Sequence, residues 1–431
     1  MKDENRALRG QITVPGDKSI SHRAVMLGSI SEGTTIAKDF LMSDDCLSTI
    51  RCFRDMGVDI TVDGRDVTIR GVGLHGLIKP SGELYTGNSG TTTRIISGIL
   101  AGQNFDTILN GDESIQKRPM KRVMEPLSLM GADIRSLRDN GCAPLAINGR
   151  RLKGIEYHMK VASAQVKSAI LLAGLFADGD TTVIEDVPSR NHTELMLKGF
   201  GADLETNGLT TVLHPGKPLI GTKLTVPGDI SSAAYFIGAA LITPGSDITV
   251  KNTGINPTRD GIIRAFRAMG ADITLMNERE TAGERVADIR VRYSGLSGTV
   301  IEGDLIPALI DEIPLIAVVA TQAEGETVIK DAAELKVKES DRIELMSEGL
   351  KKMGADIKPL SDGFIINGRT GLHGADIRTQ KDHRIAMSFS IAALVSDGPV
   401  VLDDADCVKI SYPGFFDDLK TLNTPDTSRK P

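Results

Sequence analysis

Ile12-Thr13-Val14-Pro15-Gly16-Asp17 returns as Leu224-Thr225-Val226-Pro227-Gly228-Asp229, residue 12 matching residue 224 in a chain of 431. Each copy is an alternating strand that runs into a Pro-Gly turn and an acidic residue suited to cap a helix. Two copies half a chain apart predict two related halves, and the length alone favours more than one domain.

A shorter period lies inside each half. Helix-like stretches end in an apolar residue, Gly, any residue and Asp at Met56-Gly57-Val58-Asp59, Met130-Gly131-Ala132-Asp133 and Phe200-Gly201-Ala202-Asp203. The same ending recurs at Met269-Gly270-Ala271-Asp272 and Met353-Gly354-Ala355-Asp356. Gly suits the residue after a helix, and the alternating residues that follow suit a strand. A second marker, a Gly turn before a strand, stands at Gly33, Gly179, Gly245, Gly325 and Gly398, with a weaker copy at Gly102. Together they predict six repeats of about 70 residues, three to each half. The fold class is therefore α/β, with two similar domains of three units each, every unit a helix, a strand, a second helix and a hairpin, joined by a two-crossing hinge. Residues 16–226 are expected to form the first domain, and 1–15 with 227–431 the second. The sixth repeat stops after 414–422 without closing strands, and the strand-like Leu8 to Val14 is expected to supply them. A hinge crossed twice permits closure on a ligand, and small polyanions are expected between the halves. The periodicity also predicts a helix from Arg118 to Met130 that carries Met120, Val123, Met124, Leu127 and Met130 as a core stripe.

Composition narrows the function. Fifty basic against 57 acidic residues give a net charge of −7, which disfavours nonspecific binding of nucleic acid or an anionic membrane. Anionic ligands must then meet local basic groups. Trp is absent and aromatics make up 4%, so the core must be aliphatic. Cys46, Cys52, Cys142 and Cys407 form no CxxC pair, and the polar N-terminus lacks a secretory pattern, which together predict a reducing cytoplasm. No apolar run is long enough to span a bilayer. The tail from Thr424 to Pro431 reads as frayed. The seven His have no metal-ligand spacing, and neither metal nor cofactor is expected. Phosphate-loop, zinc-protease and dinucleotide fingerprints are missing.

The polar residues collect where each repeat's first helix begins. They are Lys18-Ser19-Ile20-Ser21-His22-Arg23, Asn88-Ser89-Gly90-Thr91-Thr92-Thr93-Arg94 and Ser163-Ala164-Gln165-Val166-Lys167. In the second half stand Asp229-Ile230-Ser231-Ser232, Asp311-Glu312-Ile313-Pro314 and Lys381-Asp382-His383-Arg384. Helix N-termini attract phosphate and carboxylate, and repetition should turn all three of a domain to one side. Capping alone explains any one of them. Six together, interleaved with cations, favour anion binding. Arg118-Pro119 and Lys338-Glu339-Ser340-Asp341-Arg342 add further charge at the second helices. A cationic set for anions thus stands beside a small carboxylate set, Asp311 and Glu339, for proton transfer.

Pro15-Gly16-Asp17-Lys18-Ser19-Ile20-Ser21-His22-Arg23, Asn88-Ser89-Gly90-Thr91, Lys117-Arg118-Pro119, Ser163-Ala164-Gln165, the Lys338 to Arg342 run and Asp382-His383-Arg384 resemble, in order, the signature segments of the 5-enolpyruvylshikimate-3-phosphate synthases. The resemblance runs from residue 10 to about 422. It implies an inside-out α/β barrel of three βαβαββ units in each domain. It also implies a transferase of the shikimate pathway to chorismate and aromatic amino acids. The enolpyruvyl group of phosphoenolpyruvate would pass to the 5-hydroxyl of shikimate 3-phosphate, with loss of phosphate. Lys18 would lie between both substrates. Ser19, Arg23, Ser163, Ala164, Gln165, Ser189, Asp311 and Lys338 would serve shikimate 3-phosphate. Gly90, Arg118, Gln165, Arg342 and Arg384 would serve phosphoenolpyruvate. Asp311 would be the base and Glu339 the acid, with Lys18 able to share proton traffic. Retained Gly90 implies sensitivity to the herbicide glyphosate, modulated by Thr91 and Ile95. The implied partners are these two small anions, with no nucleic acid or membrane, and the chain would act as a monomer.

There are departures from the family pattern. Ala164 stands where some members have Ser, Glu334 where some have Asn, and Ile410, with Lys409 one earlier, where many have Lys. Three rivals compete. Transfer of enolpyruvyl to UDP-N-acetylglucosamine would call for Asn at Ser19 and a Cys near Ile115-Gln116-Lys117. An RNA terminal-phosphate cyclase would need a reactive His and a basic track. A noncatalytic phosphometabolite binder leaves Asp311 and Glu339 without a purpose.

Overall fold

Gly57, Gly131, Gly201, Gly270 and Gly354 all sit at positive φ, between 87° and 93°. Their N–H groups bond back to the last turn of the preceding helix, as Gly57 does to the Arg54 carbonyl at 2.9 Å. A side chain would strain this left-handed backbone, so Gly ends the helix. The Asp two residues later opens a strand in every case: Asp59–Asp63, Asp133–Ser136, Asp203–Asn207, Asp272–Thr281 and Asp356–Leu360. The marker read in the sequence is thus a helix stop and a strand start at once.

The computed structural model describes residues 7–423 apart from residue 282. The tail expected to fray lies outside the described residues. The chain divides into two domains of mixed α/β structure. One takes in Gly16–Val226 and Thr281–Glu284, the other Met1–Pro15, Pro227–Glu280 and Arg285–Pro431. They are called the first and second domain below.

Among the described residues, five four-stranded sheets repeat one topology. In each, a first strand pairs in parallel with a second, which pairs antiparallel with one arm of a closing hairpin. The second repeat shows it whole. Leu84–Tyr85 pairs with Asp106–Asn110, then Leu145–Asn148, then Asp133–Ser136, with helices Gly90–Ala101 and Lys121–Leu129 between. Among the described residues, the sixth repeat has Ala375–Ile377 beside Val400–Leu402, followed by helix Phe415–Leu422.

The N-terminal strand departs from expectation. Arg9–Thr13 does not complete the sixth repeat. It pairs in parallel with Asp247–Gly254 of the fourth, Ile12 opposite Val250. Lys223–Thr225 takes the equivalent place in the first repeat, beside Glu32–Lys38. Each Val-Pro-Gly-Asp strand therefore lies in one domain, while the helix it leads into lies in the other. Alternation marks a strand but does not name its partner. The first and fourth repeats lack a first strand of their own, and the two crossing segments fill those edges. At the first crossing a Cβ on Gly16 would lie 2.1 Å from the Asp39 carbonyl oxygen, so only Gly fits.

Each domain has one aliphatic core. The leading helices are its centre: every residue of Ile230–Ile242 and of Ile313–Ala320 is buried. Met120, Val123, Leu127 and Met130 lie in the first domain's core with Met124 packed against it, as the stripe predicts. Their helix starts at Lys121 rather than Arg118. Arg118 precedes Pro119, which disfavours helical backbone, and it is extended at φ −80°, ψ 136°. The turn at Ala101-Gly102-Gln103 differs too, since Gly102 is a helix C-cap at φ −95°.

Candidate active site

In the first domain, the leading helices begin at Lys18, Gly90 and Ala164. Asp17 caps the first by accepting from the Ile20 N–H at 2.9 Å. Ser89 caps the second by accepting from the Thr92 N–H at 3.1 Å. Ser163 makes no such bond, which leaves its hydroxyl free of a capping duty. Arg23, one turn into the first helix, is buried and reaches three neighbours. Its Nε donates to Thr193 Oγ1 at 2.6 Å, one terminal nitrogen to Ser168 Oγ at 2.7 Å and the other to the Ser19 carbonyl at 3.0 Å. Burial brings its pKa down to about 10, so it stays charged at neutral pH. Lys18 Nζ lies 3.2 Å from Asp45 Oδ2.

Gly90, Arg118 and Gln165 come together. A Cβ on Gly90 would lie 3.0 Å from Arg94 Nη1 and 3.1 Å from Arg118 Nη1. Arg118 is oriented by Asn88 Oδ1 at 2.7 Å and Ser114 Oγ at 3.1 Å. Arg94 donates to Gln165 Oε1 at 2.8 Å, and Gln165 Nε2 donates to Thr91 Oγ1 at 3.1 Å. A bare backbone with guanidinium nitrogens beneath it suits a phosphate or carboxylate. Ser189 is placed less openly. Its hydroxyl donates to Glu185, whose other oxygen is 2.7 Å from the buried Lys167 Nζ, and Glu194 lies on the other side of that lysine at 2.6 Å.

The second domain gathers the Asp311 and Lys338 segments. Asp311 Oδ1 is 3.4 Å from Lys338 Nζ and 3.6 Å from Arg342 Nη1. Arg342 Nη2 also meets Glu339 Oε2 at 2.5 Å. Both carboxylates that the sequence offers for proton transfer therefore touch one guanidinium. Asp382 holds that guanidinium from the other side, accepting from Nε at 2.8 Å and Nη2 at 3.3 Å. The same Asp382 caps the helix at His383 through the Arg384 N–H at 2.9 Å, and so sets where Arg384 starts. Burial would lower the pKa of Arg342. Asp382 and Glu339 outweigh it and hold the guanidinium above its usual range. Burial likewise opposes, and Asp311, Tyr235, Glu312 and Asp229 outweigh it, at Arg384. Fixed cations beside two carboxylates can hold an anion and pass protons next to it.

The family comparison rests on more than these segments. The sequence model described as EPSP synthase (3-phosphoshikimate 1-carboxyvinyltransferase) matches residues 2–419. The chain belongs to the EPSP synthase family. A 3-phosphoshikimate 1-carboxyvinyltransferase of Thermoanaerobacter pseudethanolicus is 56% identical over 96% of this chain and 97% of that one. Its namesake in Desulforamulus reducens is 53% identical over 97% of each. The EPSP synthase structure from Acinetobacter baumannii superposes with a TM-score of 0.87 at 48% identity, covering 96% of both chains.

Several residues that shape this candidate site carry no local signal in the sequence. Thr193 holds Arg23 across 170 positions, and Asp45 meets Lys18 across 27. Nothing in their local sequence marks either. Asp229 caps its helix and also meets Arg259 Nη2 at 3.2 Å, a cation 30 positions away. Lys409, beside the family's missing lysine, pairs with Asp406 at 2.6 Å on an exposed turn. Among the described residues there is no cluster of metal-ligating side chains, and no helix is long and apolar enough to cross a membrane.

Proposed function

We propose that the chain transfers the enolpyruvyl group of phosphoenolpyruvate to the 5-hydroxyl of shikimate 3-phosphate, giving 5-enolpyruvylshikimate 3-phosphate and phosphate. Family membership supports the reaction, and the contact of Arg342 with both Asp311 and Glu339 carries the assignment of roles. Arg23, Ser19, Ser163, Ala164, Gln165, Ser189, Lys338 and Asp311 serve shikimate 3-phosphate. Gly90, Arg118 and Gln165 serve phosphoenolpyruvate, together with Arg342 and Arg384. Lys18 serves both. Ser189 can contribute by accepting, since its own proton goes to Glu185.

The chemistry follows in two stages. The 5-hydroxyl oxygen bonds to the enol carbon and gives its proton to Asp311, while the methylene carbon takes a proton from Glu339, with Lys18 able to share that traffic. The carbon–oxygen bond to phosphate then breaks, phosphate leaves with the electron pair, and a methyl proton returns to the protein. Fixed guanidinium groups stabilise charge that would otherwise need mobile water. Glyphosate, an anion, competes for the phosphoenolpyruvate groups. The protein acts as a monomer in the cytoplasm.

The test is phosphate release from purified protein given both substrates in metal-free buffer. Release is expected. Release with UDP-N-acetylglucosamine in place of shikimate 3-phosphate, and none with the latter, would overturn the assignment.

A further inference from the structure

Each leading helix of the second domain starts beside an acid: Asp229, the pair Asp311-Glu312, and Asp382. Asp229 and Asp382 cap their own helices. Glu312 stands at the capping position of Ile313–Ala320 and makes no capping bond. Its side chain turns to the other two helices instead. Its Oε1 accepts from Ser231 Oγ of the fourth repeat and lies 3.4 Å from Arg384 Nη1 of the sixth. Ser231 Oγ also accepts from Arg259 Nη2 at 2.7 Å, and that nitrogen reaches Asp229 as well. One carboxylate, 1% exposed, thus ties together the starts of all three leading helices.

The arrangement is costly unless it has a use. Glu312 Oε2 is buried with no hydrogen-bond partner. A buried carboxylate oxygen left unpaired loses its hydration without return. A neutral residue would join three helices at lower cost. What a carboxylate adds is a fixed negative charge against Arg384. It also sits one residue after Asp311, in a turn held by its own N–H to the Leu309 carbonyl at 2.9 Å.

We propose that Glu312 is a positioning residue: through Arg384 it sets the guanidinium that receives phosphoenolpyruvate. The proposal rests on the enolpyruvyl-transfer reading above. Ser231 holds Glu312 in that pose, and Arg259 in turn holds Ser231.

The test uses the full chain, with Glu312→Gln, Glu312→Ala, Ser231→Ala and the Glu312→Gln/Ser231→Ala pair. Phosphate release is followed with each substrate varied in turn, and melting is recorded beside it. Glu312→Gln keeps the shape and removes the charge. It should raise KM for phosphoenolpyruvate roughly 10- to 100-fold, the range for a lost charged contact, and leave KM for shikimate 3-phosphate within about 2-fold. Ser231→Ala should raise the same KM by less, and the double variant should add little to Glu312→Gln, since linked residues are not additive. A folded Glu312→Gln protein with unchanged KM for phosphoenolpyruvate overturns the proposal, as does a fall in melting temperature with both KM values unmoved. If Glu312→Ala fails to fold, Glu312→Gln decides. Wild-type protein that releases no phosphate from this substrate pair overturns the functional reading and this proposal with it. An active wild type restricts failure to the proposal.

Discussion

Asp311, Gly90 and His22 each allow a test at a single side chain. Asp311→Ala should abolish phosphate release while the ternary complex still forms, by calorimetry, because Lys338 and Arg342 remain for the anions. Turnover that survives would remove Asp311 as the base. Gly90→Ala puts a methyl group 3.0–3.1 Å from two guanidinium nitrogens, which must give way by a few tenths of an ångström. Weakening one charge-assisted contact costs about 1–2 kcal/mol, so KM for phosphoenolpyruvate should rise roughly 5- to 30-fold. Glyphosate inhibition should weaken at least as much. An unchanged inhibition constant would show that the methyl group is accommodated. His22 is buried, with Lys18 and Arg23 close by, and these causes in that order hold its pKa well below 6.5. The unfolded chain therefore binds more protons at His22 than the folded one once the pH falls below about 6.5, and stability is lost as pH falls. Between pH 7.5 and 5.5 the wild type should lose more stability than His22→Gln, by at most about 1.4 kcal/mol, read from urea midpoints. Equal losses would show that His22 is not the group responsible. At this scale the sequence displayed the charged residues but few of their partners. Arg118, Arg342 and Arg384 stand out as cations in motifs. That Asp382 holds two of them together depends on a turn 40 residues from Arg342, which only folding brings near.

Helix starts were the most legible elements. All six leading helices begin where polar residues give way to small apolar ones, and four are capped by Asp17, Ser89, Asp229 and Asp382 as side-chain chemistry suggests. Capping was expected to compete with ligand binding as an explanation, and at Asp382 it does not compete. The carboxylate caps its helix, accepts from Ser340 Oγ at 2.8 Å and braces Arg342, so one element's start is also the wall of the site. Asp382→Ala removes all three and leaves Arg342 buried with less compensation. It should cost about 3–5 kcal/mol, read as a fall in the denaturant midpoint, whereas a cap alone would cost about 1 kcal/mol. A loss of only cap size would mean that Glu339 and Asp311 suffice to hold the guanidinium. Less legible was the start of helix Lys121–Leu129. The apolar stripe extends back to Met120, but the backbone restriction imposed by Pro119 outranks the stripe at Arg118.

Across the whole chain, the repeat was visible because glycine is needed at the same backbone position five times. Strand partnership was not visible, because an edge strand carries the same alternation whichever sheet receives it. The two crossing strands have a consequence for how the protein can be made. A gene cut after codon 226 would give one polypeptide holding Arg9–Thr13 with no sheet to join, and a second whose Asp247–Gly254 edge lies bare. Exposed strand edges recruit other chains. Each fragment expressed alone should therefore accumulate in inclusion bodies, and the two expressed together should yield soluble, co-purifying halves. Soluble, monomeric halves from separate expression would mean that the strand Arg9–Thr13 is dispensable. Residues from both sides of each crossing are thus needed to complete the first and fourth sheets.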